Sequence, residues 1–460
     1  MGNKPFGKKD QIGYLFGNLA GDFTFTLCSG FMLKFYTDVM GVDAYVVGIL
    51  MMVAQVLDAF TDIGMGQLVD RTPATKDGKF RPWIRRIAGP VALTSFLMYA
   101  SWFANASMTF KIVWMFVTYL LYCSIFYTMI IIPYGSMASA ISDEPVHRAI
   151  LSNWRHIGGT LAMTFINVIM PIAVYYTNED GQEVFSGTRM SIAALCFSIA
   201  AFVLYMCCYL MTTERVQVPQ TTKKFSFKDF ADELLKNRAM IGIILMILLQ
   251  EAANSGFHGM SSYIFPNYFG SAASQSVSSV METIITLVIA CFVVHLVAKI
   301  GKKEVTIIGA VVAAASLLLA FIVHTSNVTI WLLFYACVTV GLALINPMAF
   351  ALVTDIVDDT EVRTGKRVDG AIYGFYSFAR KFGQALSSGI RGIMLSVIGY
   401  TAATAFDNDV VNNIYNVTCI VPMVGFALMA LVVGVVYPLN KRKVEENVAI
   451  LHARRNRQGD

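Results

Sequence analysis

Residues 46–70 read VVGILMMVAQVLDAFTDIGMGQLVD, a stretch long and apolar enough to cross a bilayer as one helix. Two aspartates, Asp58 and Asp62, interrupt it four residues apart, which puts both on one helix face. An ionised carboxylate in hydrocarbon costs several kcal/mol, so acids inside a span usually face a bundle interior or an aqueous cavity and serve an ion pathway. Two like charges this close resist simultaneous ionisation. The pair therefore calls for a proton, a metal cation or a basic partner between them. All three suit a cation-coupled carrier. The alternative is that Asp62 bridges to a neighbouring helix and only holds the bundle together.

The rest of the chain has the same apolar character. Of its 460 residues 56% are hydrophobic and 14% charged, with a mean hydropathy of +0.60, which marks an integral membrane protein rather than a soluble one. About twelve runs of spanning length are expected. The first six cover 13–36, 44–69, 87–103, 110–140, 149–175 and 190–211. The second six cover 240–269, 277–297, 305–323, 329–357, 370–398 and 413–436. The polar, basic segment 212–238 divides six spans from six. The domain plan is thus a first six-helix bundle (1–211), a central cytoplasmic loop (212–238), a second six-helix bundle (239–437) and a cytoplasmic tail (438–460). Related halves with substrate and ion held near the midplane are the plan of secondary transporters. Within the central loop, 225–235 has apolar residues at helical spacing and could lie along the membrane surface; a plain linker is the other reading.

The net charge of +5 is unevenly placed. Lys4, Lys8 and Lys9, the gap holding Arg71 to Arg86, His147 with Arg148, and then Lys223 and Lys224, Lys299 to Lys303, Arg363 to Arg367 and Lys441 to Lys443 fall in alternate gaps. Lys and Arg favour the cytoplasmic side, so both termini should be cytoplasmic in a multi-pass cell-membrane protein. No secretory signal precedes the first span. The eight cysteines are scattered, apart from Cys207 and Cys208, and lack metal-binding spacing. No phosphate-binding GxxxxGK[ST] loop is present, which argues against an ATP-driven pump. Neither a structural metal nor a nucleic-acid partner is expected, and the chain should act as a monomer.

The stretch LDAFTDIGMGQLVDR (57–71) followed by GKFRPW (78–83) resembles the melibiose permease family, the glycoside, pentoside and hexuronide cation symporters of the major facilitator superfamily. FYTDVMGV (35–42), YTMIIIPYGSM (127–137), WRHIGG (154–159), DIVDDTEVRTGKRVDGAIYGF (355–375) and RKFGQAL (380–386) extend the likeness over essentially the whole chain. The resemblance implies an all-helical membrane fold of two six-helix bundles around a central cavity, and cation-coupled sugar or glycoside symport by alternating access. It implies a cation site of Asp58 and Asp62 faced by Tyr127 and Thr128, with Lys381 as the matching basic residue, and H+ or Na+ as the coupling ion with no other cofactor. It points to Asp22 and Arg155 as the sugar-binding pair, acceptors and a planar fork of donors that suit hydroxyls. Tyr376, Ser377 and Arg380, close to Lys381 in sequence, would line the same cavity.

Two departures from melibiose permease stand out. Its fourth-helix aspartate is Ile131 here, and a tryptophan four residues later is Gly135. Melibiose itself becomes doubtful as the substrate, and weight shifts from sodium towards proton coupling. Arg380 favours an acidic sugar such as a glucuronide. The same replacements also admit a lysolipid or other amphipath carrier, since the branch includes lysolipid-transporting relatives. A membrane enzyme or sensor fits less well, because no span pairs His, Cys, Asp or Glu in metal or nucleophile spacing.

Glu251, Asn254, Ser255 and His258 lie on nearly one helical face. The stripe is either a polar seam satisfied by neighbouring helices or, through His258, part of proton coupling. Gly66, Asp70, Arg71, Gly78 and Arg81 fit the superfamily's cytoplasmic motif, and Asp355, Asp358 and Glu361 beside Arg363 and Arg367 are the candidate equivalent in the second half. Both would act as latches at helix ends, with solvated loop charges as the alternative for the second.

Overall fold

The structure, a computed structural model, describes residues 5–142, 144–216, 237–365 and 369–458. Twelve long helices run in order among these residues: α1 (Lys8–Asp38), α2 (Ala44–Arg71), α3 (Arg81–Leu97), α4 (Met108–Ile141), α5 (Pro145–Val174), α6 (Gly187–Met211), α7 (Arg238–Tyr268), α8 (Ala273–Ile300), α9 (Lys302–Val323), α10 (Val328–Thr364), α11 (Asp369–Val397) and α12 (Asn408–Val435). A thirteenth, α13 (Lys441–Gln458), follows as a charged tail. Nine of them are apolar and long enough to cross a membrane. The other three fall short for visible reasons. Helix α3 has only 17 residues, α1 carries Asp22, Lys34 and Asp38 within its length, and α11 carries Arg380, Lys381 and Arg391.

The expected spans correspond to the helices, with one clear shift. The third was expected over 87–103, whereas α3 starts at Arg81 and ends at Leu97, and Ser101–Phe103 forms a separate short turn. Pro82 occupies the first turn, where a missing N–H costs nothing. The expected surface helix 225–235 lies outside the described residues.

Contacts gather the chain into two compact units. The first is Met1–Lys223 with Ser261–Ser279 and Arg391–Val410; the second is Lys224–Met260 with Val280–Ile390 and Val411–Asp460. In the first, α1 packs along α5 and α6, α3 along α6, and α2 along α4. In the second, α9 packs along α10, and α13 lies against α10.

Short contacts between α5 and α1 account for the glycines of WRHIGG. A Cβ on Gly158 would stand 2.7 Å from the Leu15 carbonyl oxygen, and one on Gly159 would stand 2.8 Å from Asp22 Oδ2. The acidic gap after α5 is a small antiparallel hairpin, β1 (Tyr175–Thr177) paired with β2 (Glu183–Phe185).

Candidate functional site

Helix α4 winds as a π-helix over Leu121–Tyr127 before resuming α geometry at Thr128. Such wide turns recur at functional sites because they re-aim the side chains that follow. Thr128, 1% exposed, places its Oγ1 2.8 Å from Asp58 Oδ1 and 3.0 Å from Asp62 Oδ1. The two aspartates do share one face of α2, as their spacing requires, and α4 supplies the oxygen between them. A threonine hydroxyl carries one proton, so it can donate to one carboxylate at a time. The second close oxygen contact is comfortable only with a further proton or a cation in the cluster. Three oxygens from two helices thus converge on a point that attracts positive charge.

Tyr127, expected beside Thr128, packs among aromatic rings. Its ring stacks on Phe25 of α1 at 5.5 Å and meets Tyr122 at 5.7 Å. Asp22 and Asp58 remain among its electrostatic neighbours.

A second polar group lies on α1. Asn18 Nδ2 donates to Asp22 Oδ2 at 2.6 Å, and Asn18 Oδ1 accepts from Arg155 Nε at 3.2 Å. The predicted sugar-binding pair is therefore joined through a residue the sequence reading missed, although Asn18 sits four residues before Asp22 on the same face. The Arg155 guanidinium also lies over the Tyr134 ring at 5.7 Å. A Cβ on Gly135 would be 3.8 Å from Arg155 Nη1, so the absence of a large side chain there leaves space beside the guanidinium. Ile131 packs towards Gly21, where a Cβ would meet its Cδ1 at 3.5 Å.

In the second unit the stripe on α7 is a seam to three helices. Gln384 of α11 donates to Glu251 at 3.1 Å, and Gln250 donates to Asn346 of α10 at 3.0 Å. His258 reaches Tyr335 of α10 and Glu282 of α8. Asn254 Oδ1 is buried and accepts no hydrogen bond among the described residues. Tyr376 lies edge-on to Phe350 at 6.2 Å and is an electrostatic neighbour of Arg380 and Glu251. Arg380 and Ser377 are exposed, and Lys381 is half-buried. Among the described residues Arg380 makes no hydrogen bond and no ion pair.

The latch residues divide. In the first unit Arg81 donates to the Tyr209 carbonyl at 2.7 Å, and Gly78 adopts φ +108 against the Glu214 carboxylate, where no Cβ would fit. Glu214 accepts the backbone N–H groups of Lys79, Phe80 and Arg81, so it caps the start of α3. Arg215 and Asp10 pair beside it at 2.9 Å. None of Glu214, Arg215 and Asp10 was singled out from sequence. Gly66 has open space around it and Arg71 is exposed, while the Asp70 side chain lies outside the described residues. In the second unit Asp355 pairs with Lys302 at the start of α9. It is Asp359 that meets Arg363, at 3.7 Å, and Asn447 of α13, at 3.1 Å. Glu361 offers its backbone carbonyl to Arg454, Asp358 belongs to the same acidic run, and Arg367 lies outside the described residues. Helical geometry explains the shift, since Asp359 and not Asp358 is one turn from Arg363.

A third cluster, near the end of α1, is fully buried. Lys34, 1% exposed, bonds Asn267 Oδ1 at 2.7 Å, the Tyr400 hydroxyl at 2.5 Å and Asp38 at 2.9 Å. Burial, and then Asp38, hold the Tyr400 phenol well above its ordinary pKa, so it remains a donor.

The family model described as MFS/sugar transport protein matches residues 13–441. Among characterised relatives, a "Glucuronide carrier protein homolog" of Escherichia coli (strain K12) is 30% identical over 99% of this chain and 98% of its own. An "Isoprimeverose transporter" of Lactiplantibacillus pentosus is 27% identical over 92% of this chain and 87% of its own. The crystal structure of a D-xylose-proton symporter superposes with a TM-score of 0.62 at 15% identity, covering 94% of this chain and 98% of that one. At that identity the likeness establishes the fold, twelve transmembrane helices of the major facilitator type.

Proposed function

We propose that this chain, which belongs to the MFS/sugar transport protein family, imports a sugar or glycoside by cation-coupled symport through alternating access in the cell membrane. The observation that carries the reading is the Thr128 hydroxyl set between Asp58 and Asp62. Two carboxylates drawn to one hydroxyl favour positive charge beside them. The Asp22, Asn18 and Arg155 relay supplies fixed acceptors and donors for sugar hydroxyls. Tyr376, Ser377, Arg380 and Lys381 are the candidate lining residues of the second unit.

The favoured cargo is an acidic glycoside. Arg380 is exposed and makes no hydrogen bond or ion pair among the described residues, and no side chain at Gly135 crowds Arg155. A planar guanidinium is the group best suited to a carboxylate or sulfonate. The name of the glucuronide carrier homologue points the same way, whereas the isoprimeverose transporter marks a neutral sugar as the competing outcome. The coupling ion is H+ or Na+, the protein acts as a monomer, and both termini lie on the cytoplasmic side.

Uptake of a panel of neutral and acidic glycosides into proteoliposomes, with sodium and pH varied independently, tests the reading. Saturable uptake of an acidic glycoside driven by one of the two ions is expected. Competition by lysolipids but by no sugar would overturn it.

A further inference from the structure

Glu282 is the carboxylate of α8, set among apolar residues in a helix of spanning length. It lies on the stripe of α8 that includes buried Gln275, Ser278 and Val293, whereas Ile284, Leu287 and Val288 on the other faces are exposed. The side chain therefore turns towards protein rather than lipid. There it meets His258 of α7, with Nε2 3.5 Å from Glu282 Oε1. The Tyr335 hydroxyl of α10 closes a triangle, 3.1 Å from Glu282 Oε2 and 3.4 Å from His258 Nδ1. His258 and Glu282 are 33% and 29% exposed, too open for a dry structural pair. All three lie well inside their helices. Glu282 is nine residues from the start of α8, about 14 Å at 1.5 Å per residue. That depth is close to half of a ~30 Å hydrocarbon core.

The proton count of this triangle distinguishes two states. With imidazolium, Nε2–H points to Glu282, Nδ1–H points to the Tyr335 oxygen, and the Tyr335 O–H points to the other carboxylate oxygen. Every edge is then a donor facing an acceptor, and the cluster is neutral. Remove one proton and the imidazole keeps a single N–H. Tyr335 must then choose between His258 and Glu282, and the cluster carries one negative charge inside the span, an expensive condition. Loaded it is neutral and satisfied; empty it is charged and one bond short. Around it stand Glu251, two turns away on α7 and held by Gln384; Arg380 of α11, whose charge reaches Glu251; and His324, stacked on Tyr415, which packs on Trp331 one turn from Tyr335.

We propose that His258, Glu282 and Tyr335 form a proton-binding site of the second unit, separate from the Asp58 and Asp62 pair, that loads and releases a coupling proton during transport. The proposal rests on the symport reading.

The test uses the full chain in sodium-free proteoliposomes with a membrane-impermeant pH-reporting dye in the external medium, and with methyl β-D-glucuronide, or whichever panel glycoside the parent takes up, as cargo. Sugar counterflow measures alternation without net proton movement, and sugar-dependent alkalinisation outside the vesicles measures proton cotransport. Glu282→Gln and His258→Gln should keep counterflow and lose alkalinisation, and Glu282→Asp should recover part of it. Tyr335→Phe, which leaves the ion pair in place, serves if either variant is unstable, and should reduce alkalinisation more than counterflow. Alkalinisation undiminished in Glu282→Gln, or counterflow and alkalinisation falling together in all four variants, overturns the proposal. A parent driven by sodium with no proton movement overturns it while leaving symport intact. A parent that moves no panel sugar on either ion overturns the symport reading and this site with it.

Discussion

Replacing Thr128 by valine removes one oxygen from the carboxylate pair while keeping the volume of the side chain. Thr128 itself is 1% exposed. What is lost is a hydrogen bond to an ionised group, made at 2.8 Å to Asp58 and 3.0 Å to Asp62, worth about 1.5–3 kcal/mol in such settings. If the hydroxyl also ligates the cation, the loss falls on the loaded state, and cation affinity should drop by about ten- to a hundredfold. The assay is the cation concentration giving half-maximal sugar uptake in proteoliposomes, measured for the parent, Thr128→Val and Thr128→Ser. Serine should restore most of the affinity, because it returns the oxygen to the same helix position. Counterflow at saturating cation should change little. A valine variant with the parent's cation dependence, in a background where Asp58→Asn abolishes it, would refute the assignment of Thr128 to the cation cluster.

Three further outcomes follow from the same geometry. Gly159→Ala would drive a methyl group to 2.8 Å from Asp22 Oδ2 and 3.0 Å from Asn18 Nδ2, so the apparent sugar KM should rise with the cation dependence unchanged; initial-rate kinetics at fixed cation would show it. Lys34→Met strips the buried partner from Asp38, and breaking such a pair costs about 3–5 kcal/mol, so thermal unfolding of the purified protein should move to lower temperature, and an unchanged Tm would count against the cluster as a stabilising element. Glu214→Ala leaves three backbone N–H groups at the start of α3 without their carboxylate, for which a loss of about 1–3 kcal/mol is expected, read by the same melt.

Much of this protein is legible in its sequence, because a bilayer imposes a simple demand. Every span must be long, apolar and helical to satisfy its own backbone, so hydropathy located twelve helices. Any ionisable residue left inside such a run is conspicuous by its cost, and Asp58 and Asp62 stand out for that reason. Their spacing alone places them on a shared helix face. The glycines of WRHIGG were visible as a motif, but their purpose was not, since it depends on how closely α5 approaches α1.

Tertiary structure decided what periodicity cannot reach. That Thr128 reaches both aspartates follows a π-helical stretch ending at Tyr127, a local change of phase invisible to a 3.6-residue pattern. Asn18 became part of the Asp22 and Arg155 group only once α1 and α5 were packed together. Glu282 joined His258 and Tyr335 from three separate helices. Asp359 rather than Asp358 met Arg363, and Lys34 found partners more than two hundred residues away. Helix geometry is local, so the residues that share a face can be read from sequence; which faces meet is settled by packing between helices distant in the chain, and the polar clusters proposed for ion and sugar exist only at those meetings.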